Sequence, residues 1–227
     1  MIWHKVSWLG FGHTENLVSD RHKPTFAATR GEGDMGNKKT MMSVLAGAMA
    51  LAGASQVNAE PSAEMMANTC AGCHGTAGQS VGPASPNLAG ISEAYFTDAM
   101  LAFQGDERNA TIMNRIAKGY TEGQIEAMAG YFAGLPVYKA PQNVDAALAK
   151  KGEEIYEDGC SKCHDEGGGL PDDDAGILAG QWLPYLEYSM ADYRAGHRDM
   201  PKKMKKAVEK LSDDEVKAVT AFFASQR

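Results

Sequence analysis

Cysteine and histidine are scarce in this chain, and long apolar runs are absent from most of it. The 227 residues include four cysteines and six histidines. Beyond residue 60 no stretch of about 20 apolar residues occurs, which excludes a membrane-spanning helix from that part of the sequence. Cations are in deficit, with 22 Lys and Arg against 29 Asp and Glu and a formal net charge of −7. That balance argues against non-specific nucleic-acid binding, which needs clustered cations against phosphate. No alternating β-branched run of useful length appears either, so nothing in the pattern calls for a sheet.

The first 59 residues read as processing sequence. Lys38 and Lys39 form a short basic region. Met41 to Ala54 is an apolar run of mostly small residues, too short to cross a bilayer. Val57-Asn58-Ala59 then offers compact side chains where a signal peptidase reads, with cleavage before Glu60. Residues 35–59 are therefore expected to be an export signal and the protein periplasmic. Residues 1–34 carry Trp3, Trp8 and scattered charges without periodicity, and Met35 is the expected initiator. The remaining 168 residues hold 16 Lys and Arg against 25 Asp and Glu, a formal charge of −9.

What the chain does have is an internal repeat. Cys70-Ala71-Gly72-Cys73-His74 returns 90 residues later as Cys160-Ser161-Lys162-Cys163-His164. Leu88-Ala89-Gly90 returns as Leu178-Ala179-Gly180, Tyr95 as Tyr185 and Phe103 as Tyr193. One inserted residue then makes the shift 91, pairing Met113 with Met204, Ile125 with Val216 and Tyr131-Phe132 with Phe222-Phe223. Two domains follow, 60–134 and 143–227, joined by a linker at 135–142 in which Pro136 and Pro141 deny helix continuation. Each is small enough that a protein-only core would be marginal.

Periodicity inside each copy is helical. Ser92 opens a segment with Tyr95, Phe96, Ala99, Met100 and Phe103 on one stripe. Thr121 with Gln124, and Ser212 with Glu215, form capping-box patterns, in which hydroxyl and carboxyl or amide satisfy helix-end amides reciprocally. Glycine and proline cluster just after each Cys-Cys-His motif, predicting a loop there. The fold class is all-α, in two tandem domains related by duplication.

Cys-x-x-Cys-His is the attachment pattern of c-type haem. Two thiols add across the porphyrin vinyl groups, and the next residue is held where its imidazole reaches the iron. Two such motifs at one point of a repeat predict two covalently bound haems, on Cys70, Cys73 and His74 and on Cys160, Cys163 and His164. The rivals fit less well. A zinc site from both cysteine pairs would bridge 86 intervening residues, far outside ribbon spacing. A redox dithiol wants a βαβ context. Disulfides would leave the two histidines without a role.

The opposite iron ligand must come from elsewhere. Past residue 59 only His74, His164 and His197 remain, so the first domain has no spare imidazole and a thioether is the natural partner. Two methionine pairs recur, Met113/Met204 and Met100/Met190. The latter lie on an apolar stripe, where methionine is commonly core filler; the former follow charged, irregular stretches suited to a chain crossing the open haem face. Met113 and Met204 are favoured, with Met200 and His197 the competitors in the second domain.

These residues resemble a known family. The stretch from Glu60 through Gly90, Thr111 through Tyr120, Ile177 through Trp182, Pro184 through Leu186 and Met200 through Met204 are similar to the dihaem cytochrome subunit of flavocytochrome c sulfide dehydrogenase. The similarity runs over 60–227. It implies two tandem cytochrome c-type domains with the same two haem attachments, completed by Met113 and Met204. It also implies a partner, a separate FAD-containing flavoprotein subunit that oxidises sulfide, and a downstream acceptor such as a small cytochrome c. The chain would then be an electron-transfer protein and not itself an enzyme. A looser resemblance is to free-standing dihaem carrier cytochromes delivering electrons to a terminal oxidase. A dihaem peroxidase would need an open or labile iron, which two complete His/Met sets oppose.

Three further features are secondary. Lys202, Lys203, Lys205, Lys206 and Lys210 surround Met204, as a cationic rim or a solvated helix face. Asp172-Asp173-Asp174 reads as an exposed loop. Arg115 and Arg194 are candidates for pairing with haem propionates, with surface salt bridges the competing reading.

Overall fold

The computed structural model describes residues 60–227; the expected upstream extension and export signal lie outside the described residues. Ten α-helices and no strand are found among the described residues. In the first half these are α1 (Ala63–Asn68), α2 (Ala71–His74), α3 (Glu93–Gln104), α4 (Met113–Ala117) and α5 (Glu122–Ala133). In the second they are α6 (Ala146–Gly159), α7 (Asp165–Gly168), α8 (Leu183–Ala195), α9 (Lys202–Val208) and α10 (Asp213–Ser225).

Five of the ten helices start at a side-chain cap. Ser92 accepts the Tyr95 amide at the head of α3. Thr121/Gln124 and Ser212/Glu215 each close a complete capping box on α5 and α10. Each half then buries one apolar face. In the first, Phe96 and Met100 of α3 meet Ile125, Met128 and Phe132 of α5, with Met66 of α1 alongside. In the second, Tyr156 of α6, Leu186 of α8 and Val219, Phe222 and Phe223 of α10 gather. α10 lies against α6 so closely that a methyl on Gly152 would sit 2.0 Å from the Ala218 carbonyl oxygen. The first half has Ser62 at that repeat position, as the cap of the much shorter α1.

The duplication holds to individual hydrogen bonds. Gly78 accepts the amides of Leu88 and Ala89 through its carbonyl, and Gly168 accepts those of Leu178 and Ala179. Both glycines have positive φ, +72° and +78°, and a Cβ on either would meet a neighbour at about 3 Å. Gly90 donates to Phe132 O and Gly180 to Phe223 O, tying each post-motif loop to the C-terminal helix of its own half.

Between α5 and α6 the chain is extended and firmly attached. Ala140 donates to Gly180 O at 2.7 Å, and Gln142 Nε2 donates to Gln181 O at 2.6 Å. Leu183 N–H in turn donates to Gln142 Oε1 at 2.8 Å. The proline-bearing linker is thus a strap laid on the second half.

Candidate functional site

Each Cys-Cys-His motif is one helical turn. Cys73 and His74 donate their amides to Cys70 O at 3.2 and 2.9 Å; Cys163 and His164 do the same to Cys160 O at 3.1 and 3.0 Å. The i, i+3, i+4 spacing puts two sulfurs and an imidazole on one side of the turn. All four cysteines are free thiols. Burial pushes the Cys70 and Cys160 thiols up, whereas a redox-active thiolate is favoured by a lowered value. Cys70 and Cys160 therefore lack the lowered value of a reactive dithiol.

His74 is oriented by the backbone. Its Nδ1 lies 2.9 Å from Pro86 O. A carbonyl can only accept, so Nδ1 carries the proton and Nε2 keeps its lone pair. Burial pushes the imidazole down despite that bond, which keeps the ring neutral. A neutral imidazole with one nitrogen anchored and the other free is a metal ligand held in its binding tautomer. His164 is likewise lowered by burial, against the opposing pull of Asp172. Its backbone is held by Tyr156, whose hydroxyl donates to His164 O and accepts from Gly167 N–H, both at 2.9 Å. These arrangements fit c-type haem. The zinc reading lacks its ligands, because no three His, Cys, Asp or Glu side chains converge among the described residues.

The methionines separate by burial. Met100 is 4% exposed, inside the first core. Met113, at the start of α4, is half-buried and borders that same core together with Cys70. In the second half Met190, Met200 and Met204 are all half-buried. Cys160 borders the second core cluster, but Met204 is not among its neighbours. His197 is exposed, its Nδ1 3.7 Å from Asp192.

The two halves meet through their post-motif loops, a contact the repeat did not reveal. Asn87 N–H donates to Gln181 Oε1 at 2.9 Å, and Gln181 Nε2 donates back to Asn87 O at 3.0 Å. Trp182 Nε1 donates to Ser80 O at 3.1 Å, with its ring against Gly82. Tyr95 lies against Gly176, and Ser92 donates to Asp173. The acidic loop is therefore exposed and also tied to the first half. Five lysines on and after α9 are exposed, Lys205 lying 4.0 Å from Glu209.

Neither arginine singled out for propionate pairing is in this interior. Arg194 donates to Asp213 at 2.7 Å on the surface, and Arg115 is exposed. The arginines at the junction are Arg108 and Arg198, themselves 90 residues apart. The signal was available: each follows its repeat aromatic, Phe103 or Tyr193, by five residues.

Known proteins match along the same lines. Residues 59–136 match the family model described as cytochrome c. Residues 147–223 match that described as cytochrome c oxidase, cbb3-type, subunit III. Cytochrome c4 of Thiocapsa roseopersicina is 32% identical over 184 residues, 75% of this chain and 94% of that protein. The thiosulfate dehydrogenase electron acceptor of Thiomonas intermedia is 30% identical over 70% of this chain and 79% of its own length. The cytochrome subunit of sulfide dehydrogenase of Chlorobaculum tepidum is 41% identical over 76 residues, 34% of this chain and 68% of that subunit. In fold, crystalline cytochrome c4 from Pseudomonas stutzeri superposes with a TM-score of 0.64 at 24% identity, covering 74% of this chain and all of that one.

Proposed function

Because this chain belongs to the family of dihaem cytochromes c of the cytochrome c4 type, we propose that it is the electron-accepting partner of an exported FAD-containing flavoprotein that oxidises sulfide. When bound, each haem c supplies a centre that takes up and gives up one electron at a time. The chain's own contribution is attachment, orientation and shielding. Cys70, Cys73, Cys160 and Cys163 hold the two groups, His74 and His164 present Nε2, and Met113 and Met204 complete the sets. The electrons then pass to a downstream acceptor such as a small cytochrome c.

The observation that carries this reading is that two equivalent sites are locked in one unit through Asn87 and Gln181. A flavin releasing two electrons is matched by two one-electron acceptors that cannot drift apart. The similarity to a sulfide dehydrogenase subunit from Chlorobaculum and a thiosulfate dehydrogenase electron acceptor from Thiomonas supports a dehydrogenase donor acting on reduced sulfur. The chemistry on sulfur would belong to that partner, and this chain alone would be catalytically silent. The sequence signature at 35–59 supports a periplasmic location.

A second reading is favoured by coverage. Similarity to cytochrome c4 spans nearly all of that relative, whereas the match to the sulfide dehydrogenase subunit spans only the share given above. In that reading the protein is a free-standing periplasmic carrier serving a terminal oxidase. Stopped-flow mixing separates them. Rapid reduction by sulfide only when a candidate flavoprotein is present supports the first reading. Absence of flavoprotein binding, with reduction by a respiratory quinol-oxidising complex, supports the second.

A further inference from the structure

The helices that carry Met113 and Met204 are repeat counterparts, yet the fold holds them very differently. In the first half two side-chain amides clamp α4 from both ends. Asn114 Nδ2 donates to Phe103 O at 3.1 Å and to Arg108 O at 2.9 Å. Gln104 Nε2 donates to Ala117 O at 3.1 Å and to Tyr120 O at 2.7 Å. The Tyr120 hydroxyl lies 2.6 Å from the hydroxyl of Thr69, which precedes Cys70 of the attachment turn. Met113 borders the first core, and Ala117 is fully buried.

In the second half every one of these clamping positions has changed. At the repeat shifts, Asn114 becomes Lys205, Gln104 becomes Arg194, Tyr120 becomes Leu211 and Thr69 becomes Gly159. Lys205 is exposed with Glu209 4.0 Å away, and Arg194 is engaged with Asp213. Among the described residues no hydrogen bond or ion pair joins 199–211 to the rest of the chain. The segment is held at its two ends. Arg198 donates to Tyr95 just before it, while Val208 is buried and Leu211 borders the second core.

α9 is also weak in itself. Seven residues are too few for a helix to stand without packing. Pro201 gives it no side-chain cap. Lys202 and Lys203 put two cations at the positive end of the helix dipole. Lys202 and Lys206 add a like-charge pair at i, i+4. α4 is shorter still, but its amide clamps make good the difference.

Resting on the iron ligands Met113 and Met204 proposed above, we propose that Met204 alone is releasable, and that a small iron-binding anion takes its place in the second half. The exchange is a substitution without change of oxidation state: the thioether sulfur leaves, and a lone pair of the anion occupies its position. Lys202, Lys203, Lys205, Lys206 and Lys210, all exposed, raise the local concentration of anions. The ligand class is therefore azide-like or hydrosulfide-like.

The test is an azide titration of the full haem-loaded ferric protein at neutral pH, followed by the methionine–iron charge-transfer band. The band should fall by about half in a first phase. The remainder should need about tenfold more azide, the weight of one or two net hydrogen bonds. Met113→His should keep the first phase and Met204→His should lose it. Gln104→Leu, which removes two clamps of α4, should draw the second phase toward the first. Lys203→Gln with Lys206→Gln should weaken azide in the first phase and leave neutral imidazole unaffected. Loss of the whole band in one phase would overturn the proposal, as would a first phase that survives Met204→His. If neither histidine variant lowers the band before azide is added, the ligand sets themselves are wrong.

Discussion

Gln181 and Asn87, 94 residues apart, exchange two hydrogen bonds at 2.9 and 3.0 Å, the glutamine amide reading the asparagine backbone as a neighbouring strand would. Both residues are 5% exposed, so water cannot replace either bond. Gln181→Leu would strand the amide and carbonyl of Asn87. An unsatisfied buried group costs about 1–3 kcal/mol, and the loss falls at the junction rather than in either core. Calorimetry of the haem-loaded protein should show lower stability and a transition that broadens or splits.

Haem stoichiometry follows from the duplicated turn. Intact mass of the exported protein should show two covalently bound haems on a chain beginning near Glu60. Acid-acetone extraction should leave the colour with the protein. One haem, or colour in the extract, would contradict the assignment of Cys70, Cys73, Cys160 and Cys163.

Iron ligation is checked at the methionines. Met113→His and Met204→His should each give one bis-histidine centre with a lower potential, because imidazole favours the ferric state more than thioether does. The methionine–iron charge-transfer band should fall by about half in each variant, as one of two sets is lost. Loss of that band in Met100→Leu or Met190→Leu instead would move the ligand assignment to those residues.

The close approach of α6 and α10 gives a packing prediction. Gly152→Ala places a methyl 2.0 Å from Ala218 O, where the obstacle is backbone. Overpacking of this kind costs about 1–3 kcal/mol. Denaturant unfolding should show the loss, and Ala149→Gly on the same helix should not reproduce it by this route.

Alkaline stability reports on Tyr193, whose phenol burial pushes up to about 12. In the unfolded chain it ionises near the ordinary value of about 10. The folded state then holds a proton that the unfolded state has released. Stability is therefore full below pH about 10 and falls as pH rises toward 12. Tyr193→Phe should flatten the decline of melting temperature across that window.

Much of this was written in the chain. Both capping boxes form where Thr121 and Ser212 predicted them, because a cap is a local matter of one hydroxyl and one amide. Met100 is core as its stripe implied, since helical period alone decides which face turns inward. Tyr95 lies on that same stripe, yet it serves the junction and not the core of its own half. Periodicity shows that a residue is apolar-facing, not which surface it faces. Arg108 and Arg198 stayed hidden for a related reason. A guanidinium in a charged stretch looks solvated until the fold brings an aromatic side chain to it, Phe103 to Arg108 and, from the other half, Tyr95 to Arg198. Gln181 gave no sign at all, because a polar side chain that completes another loop's backbone has no local signature.

The strap from Leu135 to Gln142 has a kinetic consequence. A loose tether would let the two halves tumble, and exchange between them would wait on that diffusion. Here Ala140 and Gln142 are fastened to Gly180, Gln181 and Leu183, so the separation between the halves is set by the fold. Thickening the solvent with glycerol should slow encounters with donor and acceptor while leaving the internal hop at its original rate.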